Sequence, residues 1–221
     1  TVLSEQTINI KKNHSIQLMP AIDATLEQAN LSLDLIDRIA VAACPGSYTG
    51  LRIAVTIAKS LAWAKKIELV GVSSLKVIAA NSLSNPGELI IPIFDARRKN
   101  IYTGIYAYND EGNLEVVEED RHIASEQWVE YVLAKYPTQQ IELVGADAKM
   151  FFPIFEEKLK ERVHLARPEQ NLPRASILAF LAQDEKTTEP HTFTPTYLKL
   201  AVAEENWLKE HPDFKGGDLI E

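Results

Sequence analysis

Cys44-Pro45-Gly46-Ser47-Tyr48-Thr49-Gly50-Leu51-Arg52-Ile53-Ala54 is the stretch on which the reading of the fold turns. The apolar run Ile39 to Ala43 enters it with the composition of a buried strand. Pro45 and Gly46 turn the chain, and Ser47 stands where an N-cap accepts the first free backbone N–H groups of a helix. Leu51 to Ala64 then continues as that helix. At 3.6 residues per turn, Arg52, Thr56, Lys59 and Ser60, with Trp63 among them, share one side, while apolar residues from Tyr48 to Ala64 cover roughly 200° of the surface. A helix resting on its own sheet needs a stripe of about 100°. The surplus predicts a second covering element.

Outward from this stretch, strands and helices alternate. Val2 to Ile10 is expected as a strand, and Asn13 as the cap of a helix running from His14 to Ala29, with Pro20 early in it. Leu69 to Val72 is a strand, and Ser73 caps a helix to about Ser82. Asn85-Pro86-Gly87 is the clearest break. Beyond it come strands at Leu89–Phe94, Ile101–Tyr108 and Leu114–Val117, then a helix at Ser125–Lys135. A strand at Ile141–Val144, a helix at Ala148–Lys160, a strand at Val163–Ala166 and a helix near Arg174–Gln183 follow.

The second half thus repeats the first with extra opening strands, which implies two lobes of one α/β fold. The expected division is 1–86 for the first lobe, 87–186 for the second and 187–221 for an extended tail, with Phe193, Tyr197, Leu198 and Trp207 as its anchors. The same repeat predicts that roughly 20 residues, carrying one or two strands, precede Thr1 in the native protein.

Composition narrows the function. With 23 basic and 31 acidic residues the formal charge is −8, poorly suited to holding a polyphosphate backbone with the whole surface. Lys11, Lys12, Lys65, Lys66, Arg97, Arg98 and Lys99 offer local basic patches, whose ordinary meaning is a solvated surface. Cys44 is the only cysteine, so no intrachain disulfide exists and a reducing compartment fits. No apolar run approaches 18 residues, and no secretory leader is visible; the expected location is cytoplasmic.

Chemistry-bearing patterns are sparse. Gly46-Ser47 lacks the residue that a Gly-x-Ser-x-Gly elbow needs, and Gly50-Leu51-Arg52 is not a Walker lysine motif. Gly46, Ser47 and Arg52 could still hold an anion at the helix start, with a structural turn the favoured alternative. Asp95, closing a buried strand, is either a phosphate-directed acid or a turn residue. The five histidines are far apart in sequence and no metal motif is present, so no metal site is expected.

Pro45-Gly46-Ser47-Tyr48-Thr49-Gly50-Leu51-Arg52-Ile53 resembles the Gly-Pro-Gly-Ser-Phe/Tyr-Thr-Gly-Leu-Arg-Ile segment of the TsaB (YeaZ) family, which serves the synthesis of threonylcarbamoyladenosine in tRNA. His14-Ser15 with Leu18, Pro20 and Ile22, Val70-Gly71-Val72-Ser73-Ser74-Leu75, Asp95-Ala96-Arg97-Arg98 with Tyr102, and Pro195-Thr196-Tyr197-Leu198 are similar to further segments of that family. Cys44, Ala54 and Lys199 depart from its usual Gly, Gly and Arg, and its first strand is not in this sequence.

The resemblance implies a two-lobed fold of the actin, Hsp70 and hexokinase (RNase H-like) type. It also implies a non-catalytic partner and activator of the transferase TsaD. The implied contact surface lies on helices 14–29 and 47–64, through Leu18, Ile22, Leu26, Tyr48, Leu51, Arg52, Val55, Lys59 and Ala62. The ATPase TsaE is the implied second partner, and a homodimer is expected in isolation. No cofactor is required, ATP or ADP is allowed near the shared surface, and tRNA is touched at most indirectly. Two rivals remain from the sequence: an ATPase or kinase of the same fold, and a glycoprotease-like peptidase.

Overall fold

In the computed structural model, which describes residues 1–9 and 14–198, β1 (Arg38–Cys44) and β2 (Glu68–Ser73) pair in parallel as a two-stranded sheet. Successive side chains of a strand point to opposite faces, and both faces are covered. Val41 and Leu69 face α2 (Tyr48–Lys65), while Val70 and Val72 face α6 (Ala175–Leu181) through Ile177, Leu178 and Leu181. Arg38 fixes that second helix: its guanidinium donates to Glu68 and to the carbonyls of Ala182 and Gln183 at the helix end. Although α6 lies inside the stretch 87–186 expected as the second lobe, it packs on the first-lobe sheet. Its sequence encodes an apolar helix, not the sheet that receives it.

The second lobe holds a five-stranded sheet ordered β5-β4-β3-β6-β7. Its strands are β3 (Leu89–Asp95), β4 (Asn100–Tyr108), β5 (Leu114–Ala124), β6 (Ile141–Val144) and β7 (Val163–Leu165). The meander β3-β4-β5 is antiparallel, and β3, β6 and β7 run parallel. Helices α4 (Ser125–Lys135) and α5 (Ala148–Leu159) cover one face, burying Trp128, Val132, Phe151 and Phe155 against Ile91, Ile93 and Leu143. The other face meets α3 (Ser74–Ala79), whose Leu75, Ile78 and Ala79 join Ile90, Tyr106 and Val144 in a core shared by the two lobes.

A polar joint completes this seam. The β4–β5 register slips between Thr103↔Arg121 and Ile105↔Glu118, and such a bulge re-aims the side chain it carries. Asp120 is turned toward the first lobe, where its carboxylate accepts from Tyr106 Oη and from Ser73 Oγ. Gly104 makes room, since a Cβ there would stand 2.7 Å from Asp120 Oδ1. Ser73 also caps α3 by accepting from the Leu75 and Lys76 N–H groups.

On the opposite face, Glu118 is buried and accepts from Lys135, Arg121, Tyr131 and Tyr136. Burial alone would raise its carboxyl, but hydrogen bonds from Lys135, Tyr131 and Tyr136 overcome that and hold it at about 2. A depressed carboxylate adds stability that is complete above its unfolded value, near 4.5, and is lost as the pH falls through about 2. In Glu118→Gln, the fall in urea midpoint between pH 5 and pH 2.5 is expected to shrink, with about 3 kcal/mol lost at neutral pH.

Val2–Ile10, expected as a strand, makes no ladder over residues 2–9, and Val2, Leu3 and Ile8 are exposed. Alternating residues suit a strand, but only a neighbouring edge makes one, and this segment is fixed differently. Glu5 accepts from the Ser176 N–H and Oγ and from Arg174, tying it to the start of α6. Ile10, Asn13, Lys199, Trp207 and the tail from residue 199 onward lie outside the described residues.

Candidate partner-binding surface

α2 begins where Ser47 Oγ accepts the Gly50 N–H at 3.4 Å, the cap expected from the sequence. Its inner stripe is Leu51, Val55, Ala58 and Ala62, spaced as one helix face. Val55, Ala58 and Ala62 close on Val41, Leu69 and Phe193. Three expected surface residues are therefore core: Leu51, Val55 and Ala62 are 7%, 4% and 1% exposed. A helical wheel gives the width of an apolar sector but not which part faces the sheet.

Part of the covering element is the chain's own C-terminal segment, residues 187–198, which crosses the front lobe as a strap. Thr188 N–H donates to the Leu69 carbonyl at 2.8 Å. Phe193 then drops onto Gly71, where a Cβ would come within 2.6 Å of the ring. Lys59 Nζ donates to the carbonyls of Phe193 at 2.7 Å and His191 at 3.2 Å, so this expected interface residue serves the strap. Trp63 meets His191 edge to face. At the far end Arg52 lies over the Tyr48 ring, 4.5 Å from its centroid, and donates to Tyr197 Oη at 3.2 Å. The two tyrosine rings are 5.4 Å apart.

What remains exposed lies on α1 (His14–Gln28) and on the strap side of α2. Ile16 and Met19 are exposed on α1, and Tyr48 and Trp63 on α2. Where the two helices meet, Leu18 and Ile22 of α1 and Ile53, Ile57 and Leu61 of α2 are half-buried. A groove of about 370 Å³ runs between Gln17, Leu18 and Ala21 on one side and Gly50 and Ile53 on the other. Leu26 is displaced from this face. It lines a cavity of about 460 Å³ between residues 1–4, α1 and α6.

Of the expected interface residues, the structure thus leaves Leu18, Ile22, Tyr48 and Arg52 at the surface. Phe193 and Tyr197 anchor the strap as expected, while the exposure of Ile16 and Trp63 was not anticipated; the i, i+4, i+8 spacing of Ile53, Ile57 and Leu61 was the available signal for a second α2 stripe.

The expected anion contacts do not converge. Ser47 is occupied as a cap and Arg52 by the two tyrosines. Asp95 belongs to the second lobe, where Oδ1 accepts the Arg97 N–H at 2.8 Å and its own N–H donates to Asp147 Oδ2 at 2.9 Å. Among the described residues no hydrogen bond or ion pair links Asp95 to Gly46, Ser47 or Arg52, and no three His, Cys, Asp or Glu side chains gather as a metal site. Cys44 is buried; loss of solvent raises its thiol, so it is a poor thiolate. No helix among the described residues is long and apolar enough to cross a membrane.

Comparison with known proteins gives a consistent result. The family model described as TsaD, tRNA N6-adenosine threonylcarbamoyltransferase, matches residues 1–207. The tRNA threonylcarbamoyladenosine biosynthesis protein TsaB of Bacillus subtilis is 39% identical over 209 residues, 95% of this chain and 90% of the relative. A tRNA N6-adenosine threonylcarbamoyltransferase of Anoxybacillus flavithermus is 33% identical over 115 residues, 52% of this chain and 33% of that enzyme. YeaZ from Pseudomonas aeruginosa superposes with a TM-score of 0.69 over 85% of this chain and 86% of that one, at 24% identity, which establishes the two-lobed α/β fold.

Proposed function

The chain belongs to the TsaB family of tRNA threonylcarbamoyladenosine biosynthesis proteins, within the domain family of the transferase TsaD, and on that premise we propose that it acts as the non-catalytic partner and activator of such a transferase. The observation that carries this reading is the set of large apolar side chains left exposed on α1 and α2. Ile16 and Met19 are exposed on α1, Tyr48 and Trp63 are exposed on α2 beside the strap, and a half-buried groove separates the two helices. Aromatic, Met and Arg side chains of this kind are those enriched at interface centres. A transferase whose domain is a relative of this one is the partner assigned to that surface, since helix pairs of two such domains can close into a bundle.

In the absence of the transferase a second copy takes the same face, giving a homodimer, and an ATPase of the TsaE type joins only the assembled pair. ATP or ADP, where bound, sits at the shared surface. The chain itself supplies no step of the transfer: Ser47 is spent on capping and Ser73 on Asp120.

The test is reconstitution. Transferase, tRNA and the threonylcarbamoyl adenylate are combined with and without this chain. Coupling between two sites is commonly worth 5–150-fold, so the expected gain in modified adenosine is at least about fivefold. Equal turnover with and without the chain would overturn the reading.

A further inference from the structure

The turn between β3 and β4 carries a feature that chain reversal does not require. Ala96 N–H donates to the Asn100 carbonyl and Asn100 N–H to the Arg97 carbonyl, closing the hairpin. Inside it Arg97, Arg98 and Lys99 hold φ of 70°, 53° and 61°, three consecutive left-handed residues. A Cβ makes each such position strained, and hairpin turns with this backbone ordinarily take Gly or Asn. Strain of this kind persists where the surroundings over-determine it, as they do here. Asp95 Oδ1 takes the Arg97 N–H, Asn100 Nδ2 donates to the Arg97 and Arg98 carbonyls, and the Lys99 carbonyl accepts the Ser125 N–H.

The backbone is therefore pinned to the lobe while three long cations are held out from it. The Arg97 and Lys99 side chains are 87% and 79% exposed. Their carboxylate neighbours, the largely buried Asp95 and the exposed Glu126, both stand at 3.4 Å, beyond the range of a strong charge-assisted hydrogen bond. Arg98 makes no ion pair among the described residues. Concentrating three cations on one rigid tip, in a chain of formal charge −8, creates a local anion contact that the surface at large does not offer. Guanidinium forks suit phosphate oxygens, and an extended polyanion can be met by all three cations at once.

We propose that the Arg97-Arg98-Lys99 turn is a contact for the phosphate backbone of the RNA substrate, on the second lobe and separate from the helices that meet the transferase. The choice of RNA over an acidic polypeptide rests on the tRNA-modification reading above. It replaces the expectation that tRNA is touched at most indirectly.

The experiment measures binding of an unmodified tRNA transcript to the complex of this chain with its transferase, across a salt series. It compares wild type with Arg97→Gly/Arg98→Gly/Lys99→Gly, in which glycine accepts the left-handed backbone and removes the charges. The variant is expected to keep its thermal midpoint and its affinity for the transferase. Its tRNA affinity at 50 mM salt should fall roughly tenfold to thirtyfold, and the slope of log K against log salt should become shallower by about 2–3. Unchanged affinity and slope would overturn the proposal. So would a turn-dependent preference for polyglutamate over tRNA, which would make the partner an acidic protein. If the chain and transferase do not pair, the same titration on the isolated chain tests the turn alone, so the two readings fail separately.

Discussion

Val55→Asp is expected to unfold the first lobe rather than to uncouple a partner. Val55 is 4% exposed and touches the core formed with Val41, Leu69 and Phe193. Of the two cations a helical turn away, Lys59 already has its Nζ on the His191 and Phe193 carbonyls and Arg52 is held by Tyr197 and Tyr48. Meeting the new carboxylate would release the strap; leaving it unmet buries a lone charge. An uncompensated buried charge costs about 3–5 kcal/mol, a large share of a domain's stability. Leu51→Glu is expected to behave alike, since Leu51 is 7% exposed. Urea unfolding followed by circular dichroism checks this: the midpoint should drop sharply or the native baseline vanish. A native-like midpoint in Val55→Asp would mean that this face is open after all.

The strands and helices around residues 39–64 were legible because their signals are local. An apolar run, a Pro-Gly turn and a capping serine dictate strand, turn and helix within a few residues. The excess width of the apolar sector on α2 was legible too. Its distribution was not, because it depends on a ring arriving from the C-terminal segment. Phe193 fits only because position 71 lacks a Cβ, and no periodicity connects the two residues. The same holds for Asp120, which reaches Ser73 through a one-residue slip in strand register. Leu26 and α6 were recognisable as helical and apolar, but an amphipathic pattern carries no address. Arg97 to Lys99 looked like ordinary solvated charge, since composition does not reveal backbone handedness. In each case the local state was encoded locally and the neighbour was not.

The second large effect concerns the face that stays open. Ile16 is 70% exposed and Met19 36%, so Ile16→Glu with Met19→Glu should leave the fold intact. Substitutions of exposed residues usually change stability by no more than about 0.5 kcal/mol. In the assembled pair the same two positions would lie between helices, where a carboxylate without a partner costs several kcal/mol. Four kcal/mol corresponds to about a thousandfold in affinity. Tyr48 and Arg52 give an independent handle at the other end of the face. Their stacking with Tyr197 predicts that Tyr197→Ala weakens association less, because it loosens the platform without placing a charge in it.

The most direct measurement is a calorimetric titration of the transferase with wild-type chain and with the Ile16→Glu/Met19→Glu variant, each first shown to unfold at the same urea midpoint. Tight association of the wild type and a loss of about a thousandfold or more in the variant are expected. Equal affinity for the two proteins, or no association of the wild type, would contradict the partner role.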